Sequence, residues 1–310
     1  MRIPSLLLAG AVAVTGLAIY AQTKPPSSTS EPLFHSYTRE VPLYVTVADK
    51  KGHYVTNLQE NAFKVYENGV LQPIHAFRYE DLPVSLALVI DNSGSMRDKR
   101  QAVEAAALAL VRDSNPQDET FVVNFNEDAY LDVDFTSDVD KLKIGLERID
   151  SRGQTAMREA VRLAIEHLHE KGKRDKKVVL VVTDGEDNYS DPDFSMEKLV
   201  QLASKDDVLV YAIGLLDQDM KSEANRAKRA LNDLVQSTGG EVFYPKNLAE
   251  VDGIAHQVAG DLRNQYFIGY TPLNEALDGT FRQVKVLVKA PGNPVPRTRP
   301  GYWANPPETK

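Results

Sequence analysis

Asp91, Ser93 and Ser95 occupy alternate positions directly after the apolar run 84–90, and together they offer one carboxylate and two hydroxyls. A run of that length, apolar on both faces and leading into a helical pattern, reads as a buried parallel strand. Oxygen ligands gathered where such a strand leaves an open α/β sheet suit a small, hard dication such as Mg2+. Two further segments extend the set. Thr155 ends the loop 151–155 ahead of a helix, and Asp184 follows the strand-like run 177–183. The carboxyl ends of parallel strands share one sheet edge, so the three segments can meet there. They would supply two carboxylates and three hydroxyls, with waters filling the rest of an octahedron. Each residue also has a plainer use: Asp91 as a cap on the strand-to-helix turn, Thr155 as a helix N-cap, Ser93 and Ser95 as turn formers. The combination, rather than any one member, argues for a metal.

The elements that would position these residues alternate in type between 83 and 264. Strands are expected at 85–91, 120–125, 177–183 and 208–214, and helices at 97–112, 156–169, 223–237 and 248–263. The helical stretches place apolar residues on one face at the 3.6-residue period, as Met157, Val161, Ala164 and Leu168 do. Gly239-Gly240 supplies a helix stop. Such alternation implies a doubly wound, mostly parallel α/β sheet of Rossmann-like type.

The flanks keep a period of two. Leu43, Val45 and Val47 alternate with Tyr44, Thr46 and Ala48, Phe63 and Val65 alternate with Lys64 and Tyr66, and Asn68-Gly69 is a strong hairpin signal. Beyond 265, strands are expected at 266–270, 281–290 and 299–303. Either flank alone would leave an apolar face in water. The two are therefore expected to pair into one small β-sandwich with the α/β domain inserted between its halves. The division that follows is 34–82 for the first half, 83–264 for the α/β domain, 265–303 for the second half and 304–310 for a tail.

Composition removes several function classes. At 310 residues, a prior of about 150 residues per domain suggests about two domains. A net charge of −8 argues against a nucleic-acid partner. The one basic cluster, 171–177, reads as a solvated connecting loop. The chain has no cysteine, which excludes disulfides, thiolate metal sites and cysteine nucleophiles. Phosphoryl transfer through Asp91 would want a second acid two residues later, where Ser93 stands. Ser195-Met-Glu-Lys198 fits S-x-x-K without its companion motifs, and there is no nucleophile elbow, zinc-protease helix or phosphate loop. A non-enzymatic role is expected. The acids Glu186, Asp187, Asp191 and Asp193 read as a solvated loop rather than a second cation site. His167 and His169, two apart on a helix, face different directions and make poor joint ligands.

The amino terminus carries an address. Arg2 precedes the uncharged apolar stretch 6–21, which is short for a membrane span and suits a secretory signal over 1–21. Cleavage would follow Ala21, with an uncleaved anchor as the alternative because Ile19 is bulky for its position. Residues 22–33, rich in Ser, Thr and Pro, read as a linker. The expected destination is the periplasm, the cell envelope or the exterior, with no membrane span in the mature chain.

Asp91-x-Ser93-x-Ser95, Thr155 and Thr183-Asp184-Gly185 resemble the metal-ion-dependent adhesion site of von Willebrand factor type A domains. The β flanks, with Phe281-Arg-Gln-Val-Lys-Val286 and Pro300-Gly-Tyr302, resemble those of secreted "VWFA-related" proteins described for acidobacteria. Every metal-site position holds the expected residue type. The resemblance implies Mg2+ as cofactor, with Mn2+ or Ca2+ as alternatives. It also implies that the serines and the threonine bind the ion directly or through water, and that the aspartates act largely through water. A free coordination position would accept a carboxylate from a protein partner. Hydroxyl ligands leave the ion with residual positive charge, so an incoming acidic oxygen gains more. The implied role is an exported, metal-dependent adhesion module, and the alternative is a scaffold whose metal merely stiffens its loops. The β flanks are foreign to adhesion receptors, so integrin-like conformational signalling is not implied.

Overall fold

The computed structural model describes residues 40–79, 81–147, 151–217 and 220–306. The expected signal sequence, the linker, the first residues of the amino-terminal β half and the end of the tail lie outside the described residues. The chain begins with strands β1 (Val41–Ala48), β2 (Phe63–Glu67), β3 (Val70–Gln72) and β4 (Ile74–Tyr79). Strand–helix alternation follows: β5 (Val84–Asp91), α1 (Arg100–Arg112), β6 (Glu119–Phe125), β7 (Ala129–Thr136), α2 (Val139–Leu146) and α3 (Met157–Lys171). It continues through β8 (Lys176–Thr183), α4 (Met196–Lys205), β9 (Val208–Gly214), α5 (Lys221–Thr238), β10 (Val242–Phe243) and α6 (Glu250–Arg263). Four strands close the fold: β11 (Gln265–Tyr270), β12 (Phe281–Val288), β13 (Val295–Arg297) and β14 (Gly301–Trp303).

The central sheet runs β10-β9-β8-β5-β6-β7, parallel throughout except for the antiparallel edge strand β7. β5 sits in its middle with all of its residues buried, which explains why it is apolar on both faces. Leu86, Leu88 and Ile90 pack with residues of α1 and α6. Ala87 and Val89 pack on the other side with residues of α3, α4 and α5. This is the doubly wound arrangement that the alternation implies. β7, α2 and α4 go beyond the sequence reading. β7 is a half-exposed edge strand whose Asp132 and Asp134 break its apolar pattern. α4 is short, and Ser195 is its N-cap, accepting from the Lys198 N–H at 3.3 Å, so the S-x-x-K match marks a helix start.

The flanking strands interleave. One antiparallel sheet runs β13-β1-β11-β4 and the other β14-β12-β2-β3, so each mixes strands from both ends of the chain. Leu43, Val45, Phe63 and Val65 from one end share a core with Ile268, Val284 and Val286 from the other. Neither half could bury that face alone. Asn68 and Gly69, at φ 47° and 82°, form the tight connection of β2 to β3 that their dipeptide signals. Glu67 of β2 is only 3% exposed and accepts hydrogen bonds from the hydroxyls of Tyr270 (2.9 Å) and Tyr302 (2.8 Å). Burial, helped by the nearby Glu67 charge, pushes the Tyr270 hydroxyl far up, so it remains a donor.

The basic cluster at 171–177 is not wholly a solvated loop. Lys176 opens β8 from inside the protein, 2% exposed, and its Nζ donates to the Leu262 carbonyl near the end of α6 at 2.6 Å. Burial pulls its ammonium down to about 8, against the charges of Asp261, Asp118 and Asp81. Among the described residues, no helix is long and apolar enough to cross a membrane.

The Glu67 cluster offers a direct test of the interleaved sandwich. Glu67→Ala, which takes a shared acceptor away from two buried tyrosine hydroxyls, should cost about 3 kcal/mol in urea unfolding, and Glu67→Gln distinctly less. An alanine variant as stable as wild type would mean that the two halves are held together elsewhere.

Candidate metal centre

β5 and β8 lie side by side in the sheet, and their carboxyl ends bring Asp91 beside Thr183 and Asp184. Asp91 Oδ1 accepts from the Ser93 N–H at 2.8 Å, and its Oδ2 accepts from the Thr183 hydroxyl at 2.6 Å. The Ser93 and Ser95 hydroxyls are 3.2 Å apart. Ser95 Oγ donates to Asp184 Oδ1 at 2.8 Å. A continuous polar chain thus runs from the end of β5 to the end of β8. Asp91, Ser93 and Asp184 are buried and Ser95 faces solvent, which leaves the chain one open side.

Thr155 reaches this edge on a loop tied to the strand ends. Ser151 Oγ donates to Asn92 Oδ1 at 3.0 Å, Arg152 N to the Asn92 carbonyl at 3.2 Å, and Ala156 N to the Asn126 carbonyl at 2.7 Å. Gly153, at φ +73°, turns the loop so that its carbonyl accepts from Gly94 N at 3.3 Å. A Cβ placed on Gly185 would lie 3.8 Å from Thr155 Oγ1, so the hydroxyl sits against the residue following Asp184. Thr155 is not a helix cap: α3 has Ala156 at that position, without a side-chain capping bond. Among the described residues the Thr155 hydroxyl makes no hydrogen bond, although its own N–H and carbonyl are engaged by Asn188 and Tyr189.

The donor set is therefore all oxygen, two carboxylates and three hydroxyls, and among the described residues the Thr155 hydroxyl is not engaged by a hydrogen bond. That chemistry fits a hard dication. Among the described residues no three His, Asp or Glu side chains gather in a way that would hold a metal, so the candidate depends on its hydroxyls. Lys99 escaped the sequence reading. Its ammonium pairs with Asp184 Oδ2, with the lysine side chain 26% exposed and the aspartate's 1%. The available signal was charge balance: two buried carboxylates call for a cation, and Lys99 follows Ser95 by one helical turn. Thr183, which holds Asp91, was part of the motif without being counted as a site residue.

The neighbouring acids are largely committed. Asp187, read as solvated, is 4% exposed at its side chain and accepts from the Arg158 N–H at 2.7 Å, in the first turn of α3, and from the Ser190 hydroxyl at 2.8 Å. Glu186 pairs with Arg226 at 2.7 Å. His167 and His169 meet different aspartates, Asp134 and Asp206, each at 2.8 Å.

Residues 86–186 match the sequence model of the von Willebrand factor type A domain. Over this segment the chain is similar to the von Willebrand factor type A domain. The match spans β5 to the loop beyond β8 and so contains Asp91, Ser93, Ser95, Thr155 and Asp184. The chain is also 30% identical over 176 residues to an uncharacterized protein of Synechocystis sp.; that stretch is 54% of this chain and 39% of the relative, so the likeness spans well under half of the relative's length. Among solved structures, a von Willebrand factor type A protein of Catenulispora acidiphila superposes with a TM-score of 0.50 at 14% identity, covering 84% of this chain and 73% of that one. At that identity the likeness concerns the fold alone.

The electrostatics of the domain centre on Asp91. Burial pushes its carboxyl up to about 6, opposed by the bonds from Thr183 and Ser93 and reinforced by the charge of Asp184. Its folded value lies above the unfolded one, so the folded state holds the extra proton between the two. Stability from this group is complete below about pH 4 and is lost as pH rises through about 6. In chelator, the stability of wild type relative to Asp91→Asn should fall by on the order of 2–3 kcal/mol between about pH 4 and pH 7 in urea unfolding. A difference that does not change with pH would place Asp91 in a more solvated setting than the one described.

Proposed function

We propose that this chain is an exported, non-catalytic binding protein whose von Willebrand factor type A domain captures an acidic side chain of a partner protein. Mg2+ is the proposed ion, with Mn2+ or Ca2+ as alternatives, held by Asp91, Ser93, Ser95, Thr155 and Asp184. The observation that carries the reading is the polar chain from Asp91 to Asp184 with the unpaired Thr155 hydroxyl beside it. Bound there, the ion would supply a positive centre able to share an incoming carboxylate. Asp91 and Asp184 hold the serine hydroxyls in place, Thr155 adds a neutral donor, and solvent-facing Ser95 marks the side from which a ligand would approach.

The scaffold alternative asks the metal to stiffen the loops. The bonds of Asn92 to Ser151 and Arg152, and of Gly94 to Gly153, already cross-link them, which favours ligand capture over stiffening. Against catalysis stand the engagement of Ser195 as a helix cap and the pairing of His53, His167, His169 and His256 with aspartates rather than with hydroxyl nucleophiles. Export rests on the apolar amino-terminal stretch.

Calorimetric titration with Mg2+ should give saturable heat in wild type and at least about a tenfold weaker response in Asp184→Ala, since a carboxylate is among the strongest ligands such an ion has. Equal heats in the two proteins would remove the metal from this site. An immobilised wild-type chain should retain acidic protein ligands in Mg2+ and release them in chelator. Retention indifferent to chelator would favour the scaffold.

A further inference from the structure

The two oxygens of Asp184 serve different partners. Oδ1 takes the hydrogen bond from Ser95, and Oδ2 takes the ammonium of Lys99. Among the described residues Asp91 has no such counter-charge: its hydrogen bonds come from neutral groups, the Ser93 N–H and the Thr183 hydroxyl. The three hydroxyls are neutral. The assembled donor set with Lys99 therefore carries one net negative charge, where two carboxylates alone would carry two.

Secondary structure does not account for the lysine. Lys99 stands at the N-cap of α1, where its carbonyl accepts from Val103 N at 3.1 Å, and the amino end of a helix disfavours a cation. Its own N–H is bound to the Met96 carbonyl at 2.9 Å, so the backbone is fastened on both sides and the ammonium is delivered to Asp184. Nearby cations point elsewhere, with Arg97 donating to the Ser151 carbonyl and Arg100 to the Leu146 carbonyl.

We infer that Lys99 is the affinity- and specificity-determining residue of the metal centre, weakening its hold on the dication while sharpening the attraction of the bound ion for an acidic ligand. The inference rests on the metal reading proposed above. A dication on a donor set of charge minus one keeps one uncompensated positive charge, which a single carboxylate neutralises. Without the ammonium the donor set balances the ion by itself, and an acidic ligand gains little. Lys99 thus moves binding energy from the metal to the partner and makes the two bind together.

The test uses the full chain with Lys99→Met and Lys99→Arg. Mg2+ is titrated calorimetrically, and acetate, as the carboxylate probe, is then titrated by NMR into Mg2+-saturated protein. Lys99→Met should bind Mg2+ at least about tenfold more tightly and acetate at least about tenfold more weakly, because a like charge this close to the ion acts even in a strongly screening setting. Lys99→Arg, which keeps the charge, should stay near wild type in both. Lys99→Gln replaces the methionine variant if that fails to melt cooperatively in chelator. Unchanged or weaker Mg2+ binding in the neutral variant, with wild-type heat still lost in Asp184→Ala, overturns the role of Lys99 and leaves the metal reading standing. Absence of Mg2+ heat in wild type removes the metal reading itself, and the role of Lys99 with it.

Discussion

Asp91 ends β5 with its carboxylate out of water and with bonds from the Thr183 hydroxyl and the Ser93 N–H rather than from a basic side chain. Burying a carboxylate on such terms is expensive, so the geometry that supplies those two bonds is tightly constrained. Thr183 can reach Asp91 only because β5 and β8 pair with Ile90 opposite Val182, which brings the next residue of each strand together. A slip of one residue would turn every side chain of β8 to the other face, taking Val179 and Val181 out of one core and Val178, Leu180 and Val182 out of the other. The hydrophobic pattern of the strands therefore sets the register, and the register assembles the polar site.

The sandwich is fastened to the opposite edge of the same sheet. Lys176 opens β8 with its ammonium 5.3 Å from the ring of Tyr44 of β1, and Arg299 joins Asp207, just before β9, to the Pro42 carbonyl. Beside them, Asp261 of α6 takes the Tyr211 hydroxyl at 2.5 Å and Arg297 of β13 at 2.6 Å. These buried charges engage partners from several elements, which suits a joint that must hold one orientation. β5 and β8 are eight residues long, about 26 Å of strand. That length separates the joint from the candidate site at the carboxyl ends of the same strands.

Legibility in the sequence followed how local each determinant is. The buried strands were plain because β5, β8 and β9 are apolar along nearly their whole length, and the interleaved sandwich followed from two flanks that each lacked a covered face. β7 was obscured by Asp132 and Asp134, because an edge strand half in water need not keep an apolar pattern. The metal-site residues could be assembled from topology alone, since parallel strands send their carboxyl ends to one edge. Pairings that depend on where side chains end were not readable in the same way. Asp187 was read as solvated although it is buried against Arg158 and Ser190, and Lys176 was grouped with a surface cluster although its ammonium lies inside. Arg158 lies 29 residues from Asp187 and Leu262 lies 86 from Lys176, so composition near either residue carries no signal of these contacts.

The position of Lys99 shows how a small departure in local geometry decides the chemistry of the edge. A helix beginning at Arg97 would have followed β5 almost at once. Instead, Gly94–Met96 form a tight 3-10 turn, with Met96 N bonded to the Ser93 carbonyl at 3.1 Å, and α1 starts at Arg100. Ser95 and Lys99 lie four residues apart across this junction, the separation at which side chains on helical turns share a face. They reach the two different oxygens of one carboxylate, a hydroxyl on Oδ1 and an ammonium on Oδ2. Met96 is fully buried in the α1–α6 core and anchors the turn between them. The serine that opens toward solvent and the cation that balances Asp184 are thus one geometric unit, built from a single turn and held by a single apolar side chain. Its charge balance was fixed by the extra turn before the helix, which the spacing of the hydroxyls alone does not reveal.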